Sequence, residues 1–214
     1  LAPEKLLDTY HLERAYAADE NILNSTRSTD FITPKSATSK LFRNAALSLA
    51  RHHPFARKLV NSGRLSVPSF LTHSTLNTSD TDAFAGDMVP GAPMDDAPMQ
   101  VQGQDSWLLD HIGNRFQCLL FVDEVSQVNA SHLAAFQAMR QGAMAVEPVV
   151  ISTRAGSISG IPVWVDHQGL FAKRYDAKPG SAWLTRPDQH VSARWRQLHE
   201  ANVRTALARS TCND

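Results

Sequence analysis

Cysteine, histidine, carboxylate and glycine spacing are the places to look first for chemistry in this 214-residue sequence. Only two cysteines occur, Cys118 inside an apolar run and Cys212 near the end. A thiol oxidoreductase needs C-x-x-C where a helix follows a strand, because the helix N-terminus lowers the thiol pKa. After the apolar run at Phe116 that place reads Asp123-Glu124-Val125-Ser126, which has no sulfur and two carboxylates that would oppose a thiolate. Cys118 therefore reads as a small core residue, and Cys212 as an inert residue of the tail.

Other reactive patterns are equally vacant. A dinucleotide cradle requires G-x-G-x-x-G between a strand and a helix, and no such run exists. Gly86-Asp87 sits in a Pro-rich stretch with no strand before it and reads as a turn. In Gly156-Ser157-Ile158-Ser159-Gly160, Ile158 stands where a nucleophile elbow needs serine, so a flexible loop is expected. Nine histidines include no H-x-x-x-H or H-E-x-x-H, and adjacent His52 and His53 would point apart on a helix. Arg186 and His190 could hold an anion but read more simply as a turn flank and an exposed strand residue. The sequence predicts no catalytic, cofactor-binding or metal-ligating residue.

The elements that would position such groups fall into three stretches. Residues 1–63 form a helical segment: one long helix from Pro3 to about Leu23, ended by the polar run Asn24 to Asp30; a second carrying Phe42, Ala46 and Leu49 behind a Ser36–Ser39 cap region; and a short third with Phe55 and Leu59, ending at Gly63. Residues 64–104, with Pro68, Pro90, Pro93 and Pro98, read as a linker or extended segment without regular structure. Residues 105–214 alternate: a strand at Phe116–Val122, a helix at Val128–Gln141, a strand at Val149–Ser152, and an extended piece at Ile161–Val165. A helix capped by Asp166 follows, then strands at Ala182–Thr185 and His190–Ala193 joined by the turn Arg186-Pro187-Asp188-Gln189, and a last helix from Trp195 to Ala208. This order predicts an α/β fold with a thioredoxin-like C-terminal domain, without redox cysteines, preceded by a helical segment. Trp107, Trp164, Trp183 and Trp195 read as core or interface residues.

Composition narrows the function classes. Lys plus Arg equals Asp plus Glu at 21 each, so no net charge gathers nucleic acid or an anionic membrane. No apolar run has membrane-spanning length, and two distant cysteines make no disulfide framework; a cytoplasmic protein is expected. There is no initiator Met, and Pro3 opens a helical pattern almost at once, as at an internal boundary of a longer chain.

Several strings are similar to a known family. Leu6-Leu7-Asp8-Thr9-Tyr10-His11-Leu12-Glu13-Arg14 resembles the helix that follows the flavin domain in class A FAD-dependent aromatic hydroxylases of the phenol hydroxylase and 3-(3-hydroxyphenyl)propionate hydroxylase type. Asn24-Ser25-Thr26-Arg27 and Thr185-Arg186-Pro187-Asp188-Gln189-His190-Val191 resemble later parts of that family. The resemblance implies that this is the C-terminal portion of such an enzyme, serving structure and oligomerisation. FAD and NAD(P)H would belong to the parent enzyme and no cofactor to this portion. Its implied partners are the N-terminal FAD-binding domain of the same polypeptide, on which the helical segment 1–63 would pack, and further copies of itself. The resemblance also implies that the Leu6 to Arg14 helix is a scaffold joining the domains, with Glu13 and Arg14 as salt-bridge formers. The competing expectation is a stand-alone, redox-inactive thioredoxin-like binding module; a peroxidase using Cys118 is a third.

Overall fold

The computed structural model describes residues 3–60 and 68–213. The chain forms two compact units, Leu1–Tyr10 with Phe70–Asp214, and His11–Ser69.

The helical unit contains most of α1 (Glu4–Ile32), with α2 (Ala37–His52) and α3 (Pro54–Val60). Helix α1 does not stop at the polar run Asn24 to Asp30; it continues to Ile32, because neither Gly nor Pro interrupts the sequence between Pro3 and Pro34. Polar side chains on an exposed helix satisfy themselves in water, so polarity alone does not end one. Ser36 is the N-cap of α2 as expected, its side chain accepting from the Ser39 N–H at 3.1 Å. Pro54 occupies the first turn of α3, where its missing N–H is no loss. The predicted stop at Gly63 lies outside the described residues.

The other unit is built on one mixed seven-stranded sheet in the order β2-β1-β5-β4-β3-β6-β7. Its strands are β1 (Pro98–Val101), β2 (Gln104–Trp107), β3 (Phe116–Val122), β4 (Val146–Ser152), β5 (Val163–Val165), β6 (Ala182–Thr185) and β7 (Val191–Trp195). Strands β3, β4 and β5 run parallel, and β6 and β7 antiparallel beside β3. The intervening helices are α4 (Ala130–Arg140) and α5 (Leu170–Tyr175), with α6 (Glu200–Ser210) last.

The period-2 alternation of β3 creates two cores. Leu119 and Phe121 join Val149, Ile151, Trp164, Trp183, Phe171 and Tyr175 on one side. Cys118, Leu120 and Val122 join Phe136 and Met139 of α4, and Val203 and Ala206 of α6, on the other. Every residue of β3 is buried, which is why the strand is apolar apart from Gln117, whose side-chain amide accepts from the Gly113 N–H and donates to the His111 carbonyl.

Three local expectations are revised. Strands β1 and β2 form a hairpin within and just beyond the stretch read as irregular; Gln102 and Gly103 both have positive φ, 53° and 79°, as a tight two-residue turn requires. Trp195 does not begin the last helix: it ends β7, opposite Ala182, and is 4% exposed. Asp166 lies three residues before the N-cap of α5, which is Gly169, yet its carboxylate accepts the Phe171 and Ala172 N–H groups at 3.2 and 2.9 Å. Residues 68–97 carry no helix or strand, but Leu71, Leu76, Met88, Ala92, Met94 and Ala97 among them are buried. The sequence between Thr78 and Met94 thus lies against the sheet, with Thr78 and Gly91 donating to the Ser192 and Val191 carbonyls of β7.

Candidate functional site

The end of β3 is where this topology would carry a reactive thiol, and its local bonding is that of a closed turn. The Asp123 N–H donates to Gln127 Oε1 at 2.8 Å, and the Asp123 carbonyl accepts from Ser152 and Thr153 hydroxyls at 3.2 and 2.8 Å. Glu124 is paired with Arg154. Gly156 of the neighbouring loop packs against Val125, with room for no side chain: an added Cβ would come within 2.5 Å of a Val125 methyl. The loop is thus seated tightly where sequence suggested flexibility.

Cys118 is fully buried within the second core, and burial pushes its thiol up to about 12. Such a group is a thiol, not a nucleophile, at physiological pH. Cys212 is half-buried beyond α6. His52 and His53 are exposed, and among the described residues no group of three His, Cys, Asp or Glu side chains could hold a metal ion.

Flavin phosphates find no cradle here. The strand-to-helix junction at the end of β3 presents Asp123 and Glu124 instead of glycine, and the Asp123 N–H already has a side-chain acceptor. Gly86, with φ 81°, turns an irregular segment, not a strand-to-helix crossing. The residues described do not fit FAD or a nicotinamide dinucleotide, so no step of flavin chemistry is assigned to them.

Charged side chains in this unit are instead used for structure. Arg186 flanks the turn as expected but is only 7% exposed, and it holds Asp188 through two hydrogen bonds of 3.1 and 2.8 Å, while the His190 side chain, expected to be exposed, is 15% exposed. Partial burial works to raise the Asp188 carboxyl, but the His190 hydrogen bond and the charges of Arg186 and His190 outweigh it and hold the group well below the usual carboxylate range. The pair that could have bound an anion already has one, supplied by its own turn. Gln189 takes φ 64° at the turn, and its amide donates to the Leu109 and Ile112 carbonyls at 3.1 and 2.7 Å.

A second cluster went unread in the sequence. Arg194, 3% exposed in β7, donates to the Asp80 carboxylate at 2.7 to 3.1 Å and to the Met88 carbonyl at 3.0 Å. The Phe84 ring contacts two guanidiniums, with Arg194 Cζ 4.4 Å and Arg196 Cζ 3.7 Å from its centroid. Arg196 also pairs with Asp176, whose carboxyl is lowered mainly by the Ala85 N–H and by Arg196. The signal available was a basic residue flanked by Ala193 and Trp195 in a strand that otherwise had to be buried. The opposite side of the sheet carries a groove of about 770 Å³ between α4, α6 and the start of α1, lined by Leu6, Met139, Met144, Val203, Arg204 and Leu207.

No protein-family model matches the sequence, and no curated protein does. Solved structures do match. The flavin-dependent monooxygenase PieE, in complex with FAD and substrate, superposes with a TM-score of 0.68 at 20% identity, covering 100% of this chain and 41% of that one. Aklavinone-11 hydroxylase, in complex with FAD and aklavinone, gives 0.62 at 18% identity, covering 99% and 36%. The rebeccamycin biosynthetic enzyme RebC with reduced flavin gives 0.60 at 19% identity, covering 100% and 37%. At such identities the likeness is one of fold: this chain has, over its whole length, the fold of part of these flavin proteins, and it spans less than half the length of each.

Proposed function

We propose that this chain is the C-terminal, structural and oligomerising portion of an FAD-dependent monooxygenase that hydroxylates phenolic rings, of the phenol hydroxylase and 3-(3-hydroxyphenyl)propionate hydroxylase type, and that it is inactive by itself. The observation that carries this reading is full-length superposition on a minority of three flavin proteins, in a chain whose described residues fit no flavin. In the parent enzyme the flavin, reduced by NAD(P)H, supplies oxygen activation, and that chemistry belongs to the cofactor. The strand order β4-β3-β6-β7, with β3 and β4 parallel and the rest antiparallel, supports a thioredoxin-like assignment for the sheet-bearing unit. The missing thiols at the end of β3 make that unit a packing module. The cytoplasm is the compartment of the proposed enzyme.

Visible absorbance of the purified chain, after incubation with FAD and desalting, tests the division of labour. No retained flavin is expected; a stoichiometric yellow chromophore overturns it. The coding sequence upstream tests the rest, since a start codon directly before Leu1 would favour a stand-alone binding module.

A further inference from the structure

Helices α4 and α6 pack together over the second core, and the groove of about 770 Å³ beside them has the start of α1 as its third wall. All three walls belong to one compact unit. Core side chains line it: Met139 and Val203 are 6% and 1% exposed, and Leu207 beside them is half-buried. The exposed segment from Gln141 to Ala145 adds Ala143 and Met144.

This lining offers apolar contact and hydrogen-bond acceptors without net charge. Glu200 and Arg204 are the only charged side chains among the described lining residues, and they neutralise each other one helical turn apart, Arg204 Nε donating to Glu200 Oε1 at 2.9 Å. Both helices bring their C-terminal ends to the groove: Gln141 is the C-cap of α4, and Asn213 lies just past α6. A helix C-terminus carries partial negative charge, which repels anions and favours donors. Asn213 Nδ2 donates to the Thr211 carbonyl and hydroxyl at 3.1 and 3.0 Å, which leaves its Oδ1 to accept. The thioethers of Met139 and Met144 adapt to shape and make favourable contacts with aromatic rings.

We propose that the groove is a binding site for a small, neutral aromatic molecule that carries a hydroxyl or N–H donor. Its volume lies within the roughly 300–1,000 Å³ of pockets that hold small molecules, and a concavity of that size suits a compact ring system better than it suits a flat protein face. The ring packs on Met139, Met144 and Leu207, and its donor reaches Asn213 Oδ1 or the Gln141 side chain. An anion would give up its water without gaining a partner, because Arg204 is already matched by Glu200. This site makes no use of flavin, so it stands whether or not the chain is part of a flavin enzyme.

Fluorescence titration of the 214-residue chain with a matched pair of dyes tests this. N-phenyl-1-naphthylamine, neutral with one N–H, should bind saturably and at least roughly tenfold more tightly than its sulfonated relative 8-anilinonaphthalene-1-sulfonate, whose charge finds no partner in the groove. Ala143→Trp, a filling substitution at an exposed position, should weaken the neutral dye by at least roughly tenfold. The bound dye should also protect Met144, 42% exposed in the free chain, from oxidation by hydrogen peroxide, read by peptide mapping. The exposed apolar stripe of α2, where Phe42 is 63% exposed, is the rival surface, so Phe42→Glu should leave binding unchanged. Equal affinity for the two dyes, binding that survives Ala143→Trp or fails in Phe42→Glu, or no binding at all overturns the site. A concentration-dependent dimer abolished by Ala143→Trp would give the groove to a second copy and overturn it as well.

Discussion

Cys118 shows how burial alone decides reactivity. With its thiol pushed up to about 12, roughly one part in ten thousand is thiolate at pH 8, so a disulfide reagent should modify Cys212 in the native protein and leave Cys118 untouched until denaturant is added. Rapid native modification of Cys118, followed by peptide mapping, would contradict the fully buried placement. Asp188 behaves in the opposite sense. Its carboxyl is held below the ordinary range, so its contribution to stability is complete above the unfolded value near 4 and disappears as pH falls further through the folded value. Asp188→Asn should therefore destabilise the protein at pH 7, by an amount that shrinks steadily as pH is lowered below about 4, read as the change in urea midpoint. Sequence made the turn at Arg186–Gln189 legible, because Pro187 sets its φ. It did not reveal that Arg186 is buried, since that depends on residues distant in the chain folding over it.

At the scale of elements, the segment from Thr78 to Met94 is held on the sheet by a few main-chain hydrogen bonds to β7 and its turn, and by side chains. Its side-chain attachments are Asp80 on Arg194, the Asp82 carboxylate on the Arg196 N–H and the Phe84 ring against both guanidiniums, and just beyond it Tyr175 Oη donates to the Asp95 carbonyl. Removing one partner of a buried pair leaves the other charge desolvated, so Asp80→Ala should cost on the order of 3 kcal/mol. Urea unfolding of the variant measures this; a loss no greater than that of an exposed pair would show Arg194 well hydrated. Strands β3, β4, β6 and β7 and helix α4 were legible from alternation and apolar runs. The β1–β2 hairpin was not, because its strands are four residues long and its turn uses Gln102 at positive φ, where Asn or Asp is the usual signal.

For the whole molecule, the contrast between the two units governs behaviour. The sheet unit has two cores, while among the described residues of the helical unit only two alanines are buried, so backbone amides of α2 and α3 should exchange with solvent deuterium far faster than those of β3, β4 and β6. Uniform protection across both units would mean the helices are covered in the chain as it stands. Read alone, the amino-acid sequence was enough for the helical start, the strand and helix order after Phe116, the missing thiol pair and the missing glycine cradle, because each depends on residues close together in the chain. Folding brought in what local pattern could not carry: the pairing of Asp80 with Arg194 across 114 positions, the burial of an irregular Pro-rich segment, and the outward aim of the α2 stripe. Those depend on which surfaces meet, and a periodic pattern specifies a face without naming what covers it.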